Sequence, residues 1–158
     1  MSAPQLPMRR RERELTSAEA WAVLAKAEFG VLATVGRDGW PYAVPVNHVL
    51  LDGALLLHSA TEGHKLDNLA GDTRVSYCVV TQAEVLPEQL STRYESAIVF
   101  GRAVQVHGGA ARIAALQAIG QRFAAQYPEQ VQRGIEKNLA RVTVFRIEIE
   151  RVTGKARR

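Results

Sequence analysis

Cysteine is nearly absent: Cys78 stands alone among 158 residues. One thiol excludes an internal disulfide framework and any paired-cysteine metal or redox motif, and it agrees with a reducing compartment. Long apolar runs are missing too. None approaches the ~20 residues of a membrane span. The N-terminus carries no apolar core like that of a signal peptide, so a cytoplasmic protein with no membrane partner is expected. No HExxH, Walker A or GxSxG pattern occurs. The histidines His48, His58, His64 and His107 have no second His, Cys or carboxylate at metal-ligand spacing, so no metal site is expected. Without acid–base or metal machinery of its own, the chain would leave any difficult chemistry to a cofactor.

What is present is an ordinary globular balance, 47% hydrophobic and 23% charged residues, which suits one domain with a real core. The net charge of +4 is concentrated at the ends, in Arg9, Arg10, Arg11 and Arg13 and again in Arg151, Lys155, Arg157 and Arg158. Glu12 and Glu14 dilute the first cluster, and no aromatic is interleaved with it, so a nucleic-acid partner is not expected. Residues 1–14, with Pro4 and Pro7, read as a basic N-terminal arm, and residues 15–158 as a single domain.

Along the chain, Thr16 and Glu19 have capping-box spacing ahead of a helix that ends near residue 27 or 28. Residues 29–35 read as a strand, turned by Gly36-Arg37-Asp38-Gly39 into a second run over 40–51. Pro41 and Pro45 remove two backbone donors there, which makes the second run an edge, bulged or interrupted strand. Asp52-Gly53 turns the chain into a buried strand over 54–58. Further strands are expected over 74–80, 94–107 and 141–152, with residues 83–93 a loop or short helix. Amphipathic helices are expected around 113–127 and, more weakly, over 129–139, and the basic tail 153–158 reads as exposed. In the last strand Val142 and Val144 are out of phase with Phe145, Ile147 and Ile149, the pattern of a bulge or of a strand shared between two surfaces. The sum is an α+β, mainly β fold: six antiparallel strands in a closed or partly closed barrel with peripheral helices.

One stretch gathers binding chemistry. From His58 to Leu69 a buried strand ends, turns through small and hydroxyl residues, and enters a helix that begins near Lys65. Hydroxyls, helix-start N–H groups and a lysine together make an anion site, a phosphate site above all; a capped helix with a solvated lysine is the plainer alternative.

Several segments in register resemble the pyridoxamine 5′-phosphate oxidase-related flavoproteins, most of all their 5-nitroimidazole-resistance branch. They are Gly39-Trp40-Pro41-Tyr42-Ala43-Val44-Pro45-Val46-Asn47, Leu57-His58-Ser59-Ala60-Thr61-Glu62-Gly63-His64-Lys65 and Arg93-Tyr94-Glu95-Ser96-Ala97-Ile98-Val99-Phe100-Gly101-Arg102-Ala103, with matching ends at Met8–Arg11 and Ile149–Lys155. The resemblance implies a split-barrel fold and a homodimer with FMN in clefts between the two subunits. It implies Val44, Pro45, Val46 and Asn47 along the isoalloxazine ring. His58, Ser59 and Ala60 would run beneath the ribityl chain or ring edge, and Gly63, His64 and Lys65 would hold the phosphate. Arg102 is a further candidate, and the Lys155 tail would reach the partner's site. His58 and Tyr94 are the candidate proton donors.

The implied activity is electron transfer from a reduced nicotinamide to a small oxidised acceptor such as a nitroaromatic or a quinone. The alternative is a non-catalytic haem- or flavin-binding module on the same barrel, with His48, His58 or His64 open as haem ligands. Two departures are visible. Many relatives have arginine where this chain has His64. The chain ends in Thr153-Gly154-Lys155-Ala156-Arg157-Arg158, with no counterpart of the substrate-binding segment of true pyridoxamine phosphate oxidases, so vitamin B6 oxidation is not expected.

Overall fold

A single residue separates the two edges of the sheet. The computed structural model describes Ala3 and residues 6–158. In chain order its elements are α1 (Ser17–Lys26), β1 (Phe29–Val35), β2 (Pro41–Asn47), β3 (Val49–Leu51), β4 (Ala54–Ala60), α2 (His64–Gly71), β5 (Arg74–Leu86), β6 (Ser91–Gln105), α3 (Gly109–Ala124), α4 (Pro128–Asn138) and β7 (Val142–Arg157). The strands form one sheet in the order β2-β1-β5-β6-β7-β4-β3, antiparallel at every ladder. β2 and β3 are its edges, yet only His48 lies between them. In a flat sheet, six strand spacings of about 4.8 Å would hold the edges roughly 29 Å apart, whereas two Cα–Cα steps reach about 7.6 Å. The sheet therefore curls into a half-barrel with an open seam where β2 passes into β3.

That seam corrects the strand count from six to seven. The run 40–51 is two strands, because the chain crosses from one edge of the sheet to the other at His48. The prolines behave as their missing donors require: Pro41 and Pro45 both lie in the edge strand β2, opposite Val35 and Val31. Two further expectations change. Residues 83–93, expected as a loop or short helix, are mostly strand: β5 and β6 run on as a long ribbon, and the short helix is confined to the 3₁₀ turn at Pro87–Gln89. The tail is not loose either. β7 continues to Arg157 against β6, with Gly154 and Ala156 buried, and Arg158 pairs with Glu19 at 3.1 Å.

Two apolar clusters explain the sequence pattern. Leu32, Tyr77, Val79, Val99, Leu55 and Ile147 fill the barrel, and Leu24 of α1 closes one end. Leu56 and Val144 point the other way, under Ala115 and Ile119 of α3. β4 and β7 are thus covered on both faces, which is why residues 54–57 are uniformly apolar. The mixed phase of Val144 and Phe145 is that of a strand shared between two surfaces. An added residue, Glu150, bulges β7 where Phe100 pairs with Arg151 and Gly101 with Ile149. Among the described residues, no helix is long and apolar enough to cross a membrane. Of the arm over 1–14, Pro4 lies outside the described residues; Glu14 bridges Lys155.

The capping box at α1 is present in full: Glu19 N–H donates to Thr16 Oγ1, and the Thr16 N–H donates to Glu19 Oε2 at 2.9 Å. Thr16→Ala should cost about 1 kcal/mol, read as a lowered midpoint of chemical denaturation with an unchanged slope.

Candidate functional site

Burial along β4 stops abruptly. Ala54 to Leu57 are enclosed, then His58 and Ala60 are exposed and Ser59 half-buried. The strand emerges here from between its neighbours, and residues 61–63 turn it into α2. Gly63 makes this turn with φ +127°, a conformation side chains rarely adopt, and nothing among the described residues lies within 4 Å of where its Cβ would be. The helix start is therefore approached through open space. Among the described residues it also has no side-chain cap, in contrast to α1. Leu66 and Asp67 N–H groups turn back to the Gly63 carbonyl, at 2.8 and 3.2 Å, while those of His64 and Lys65 find no acceptor among the described residues. Two N–H groups, the positive end of a helix and the Lys65 ammonium thus share one opening.

The charge there is unspent: Lys65 makes no salt bridge among the described residues. It is felt by His58. Although that imidazole reaches solvent, the surrounding protein displaces enough water to lower its pKa, and the Lys65 charge lowers it further. His58 is thereby held in its neutral form at neutral pH. The Ser59 hydroxyl donates to Ala60 O at 2.8 Å and keeps its lone pairs free.

α2 is fixed at two points. Asn68, buried, donates to Thr34 Oγ1 of β1 at 3.0 Å. The His64 ring lies on Tyr42 of β2, centroids 4.1 Å apart. The helix start is so held beside the edge strand that the resemblance makes the ring wall. A cavity of about 520 Å³ opens between α2 and the β1–β2 turn, lined among others by Arg37, Asp38, His64 and Asp67. Another of about 390 Å³ lies against Thr61, Leu66, Thr143 and Phe145.

Along β2 the side chains alternate. Val44 and Val46 turn inward and pack on the barrel core, so their backbone, not their side chains, is what a ligand outside could meet. Pro45 and Asn47 face outward and are exposed; Asn47 Nδ2 donates to Glu28 O at 3.0 Å and leaves its carbonyl oxygen free. Arg102 is not brought to the helix start within one protomer. It lies on β6 opposite Arg74, near the far end of α2, and pairs with Glu150 at 2.8 Å. Lys155 sits on the outer face of β7 opposite Ser96. Tyr94 is in the β5–β6 ribbon, on a different strand from His58, and the two form no pair. His48 is spent: both ring nitrogens meet protein groups, so it is no candidate ligand for haem iron. Tyr42 and Asn68, which hold α2 in place, are absent from the sequence-derived site. Tyr42 shares the phase of Val44 and Val46, and that is the signal that could have marked it.

Among solved structures, the chain is similar to a conserved hypothetical protein from Mycobacterium tuberculosis (TM-score 0.79, 20% identity, 95% of this chain and 90% of that one). It is also similar to a protein assigned provisionally to 5-nitroimidazole antibiotic resistance in Bacteroides thetaiotaomicron (TM-score 0.73, 21% identity, 90% and 85%). A third is an FAD- and haem-binding protein from Mycobacterium smegmatis (TM-score 0.75, 25% identity, 91% and 73%). Comparison with curated proteins gives no match. The fold is thus one that flavin-binding proteins use. The pyridoxamine 5′-phosphate oxidase family profile matches residues 16–156, nearly the whole domain, and the chain belongs to that family.

Proposed function

We propose that this protein is an FMN-binding flavoprotein, a homodimer that passes electrons from a reduced nicotinamide to a small oxidised acceptor such as a nitroaromatic or a quinone. The observation that carries the reading is the uncapped start of α2, where Lys65, two free N–H groups and the open space at Gly63 converge. This donor set fits a phosphate monoester dianion, which wants N–H groups and a fixed positive charge. In this reading Lys65 and the backbone of His64 and Lys65 bind the phosphate, and Ser59 and Ala60 border the ribityl chain. The outward side of β2, with Pro45 and Asn47, walls the ring. A bound flavin supplies hydride and one-electron chemistry. His58, kept neutral, can accept a proton at the site's edge.

The homodimer is supported by the outer face of the sheet. Phe29, Val31, Val80, Ile98 and Phe100 lie on adjacent strands β1, β5 and β6, pointing away from the core; Phe29 is 59% and Val80 54% exposed. An apolar patch of this kind marks an interaction surface. It is continuous with Pro45 and Asn47 of β2, so a second copy seated on it would complete the ring wall.

The absorption spectrum of the purified protein tests the reading: flavin bands, or their appearance on adding FMN, are expected. Haem bands would favour the alternative module, with His58 or His64 as ligand. A protein that stays colourless with FMN sinks the proposal. Anaerobic mixing with reduced nicotinamide, followed by a nitroimidazole or a quinone, tests turnover. Arginine at position 64 would set a permanently charged, forked guanidinium beside the phosphate. His64→Arg should tighten FMN several-fold, followed by flavin fluorescence quenching.

A further inference from the structure

His48, the residue that carries the chain across the seam, is 2% exposed and polar on both sides. Its Nε2 lies 3.0 Å from the Leu24 carbonyl at the end of α1. Its Nδ1 lies 2.9 Å from the Tyr77 hydroxyl, and that hydroxyl lies 2.8 Å from the Val46 carbonyl of β2. Tyr77 is fully buried, its ring lying where a side chain on Gly30 would be, and the Gly30 backbone N–H is directed at its oxygen.

Counting protons separates two states of this chain. In a neutral ring protonated at Nε2, that N–H donates to Leu24 and Nδ1 is an acceptor. The single Tyr77 proton then serves either Nδ1 or Val46, never both. In a neutral ring protonated at Nδ1, Tyr77 serves Val46, but the Nε2 lone pair faces the Leu24 oxygen. Only an imidazolium satisfies every contact: Nε2–H to Leu24, Nδ1–H to Tyr77, and Tyr77 O–H to Val46.

We propose that His48 and Tyr77 are positioning residues for the flavin site, which decide by the protons they share whether the Val46 carbonyl is held by Tyr77 or left with a free lone pair. The inference rests on the reading of β2 as the ring wall. Val46 precedes Asn47, whose free carbonyl oxygen is on the outward side, so a change in the hold on Val46 acts on the strand at the ring. The charged group acting on the imidazole is Arg122 of α3, which donates to Ala25 O at 3.1 Å and to Lys26 O at 3.4 Å. α1 presents carbonyls, β5 the Tyr77 hydroxyl, and β1 and β2 backbone. Burial lowers the His48 pKa most; the Leu24 carbonyl raises it and Arg122 lowers it. Near neutral pH the ring is therefore neutral and the hydroxyl proton contested, and acidification commits Tyr77 to Val46.

Carbonyl ¹³C and ring ¹⁵N NMR of the full chain across about pH 5–8, without and then with FMN, tests this. The Val46 carbonyl shift should follow the His48 titration in wild-type protein. It should be flat in Tyr77→Phe, where His48 still titrates, and in His48→Gln, which keeps a donor toward Leu24 but takes up no proton. With FMN, the ratio of Kd between the ends of the range should differ several-fold between wild type and Tyr77→Phe. A Val46 shift indifferent to pH in wild type, an unchanged one in Tyr77→Phe, or a His48 that never titrates overturns the relay, and the wild-type spectra decide this even if the variants fail to fold. Wild-type protein that binds no FMN overturns the flavin reading instead.

Discussion

Lys65→Ala should weaken FMN binding by about 1.5–3 kcal/mol, the loss of one charge-assisted hydrogen bond, or roughly 10- to 150-fold in Kd. The effect should be large because, among the described residues, the charge has no internal competitor. Lys65 pairs with no carboxylate among the described residues, so removing it leaves the phosphate with the backbone N–H groups of the helix start. Stability should hardly change, since the side chain is half-buried and serves no part of the core. Fluorescence titration with FMN checks the affinity, and thermal denaturation without FMN checks the fold. Lys65→Met, which keeps most of the apolar stem, should lose about as much as alanine. If riboflavin, which lacks the phosphate, loses as much affinity as FMN does, Lys65 is not a phosphate ligand. The loss should also shrink in high salt, where screening reduces what the ammonium contributes.

Much of this site could be read from the residues because its parts are local. A strand end, a glycine at positive φ and a helix start follow one another within His58 to Leu69, and each is dictated by nearest neighbours. The capping box at Thr16 and the β1–β2 turn, with Gly39 at φ +83°, were legible for the same reason. What could not be read depends on where the chain is carried. Nothing in Val46-Asn47-His48-Val49 marks the crossing from one sheet edge to the other, since both sides are apolar and strand-like. The contact of His64 with Tyr42 joins residues set side by side only by the curl of the sheet. The ribbon over 83–93 reads as a loop or short helix because it projects from the barrel: Ala83, Glu84 and Val85 are all exposed, so no alternating apolar face was demanded of them. The tail 153–157 does alternate, but its inward residues are Gly154 and Ala156, too small to register as hydrophobic. They are small because α1 passes over them: a side chain on Gly154 would run into Ala20.

Val31→Asp should turn the proposed homodimer into a monomer and take FMN binding with it, while leaving the residues at the start of α2 in place. Val31 lies at the centre of the outer face, between Pro45 of β2 and Cys78 of β5, and Ile98 follows on β6. Its side chain is 38% exposed and points away from the barrel, so a carboxylate there is hydrated in an isolated protomer and should cost the fold little. In a twofold dimer built on this face the same charge is buried twice, once from each copy. An unpaired buried charge costs about 3–5 kcal/mol, so two weaken association on the order of 10⁴-fold or more. Sedimentation equilibrium reads the outcome directly. Leu51→Asp, equally exposed at 40% but on the opposite sheet edge, should remain dimeric and yellow. A wild-type monomer, or a Val31→Asp protein that is still dimeric, would remove this face as the subunit contact. A monomeric Val31→Asp protein that holds FMN as tightly as wild type would separate the two properties, and would place the whole cofactor site between β2 and α2 of one chain.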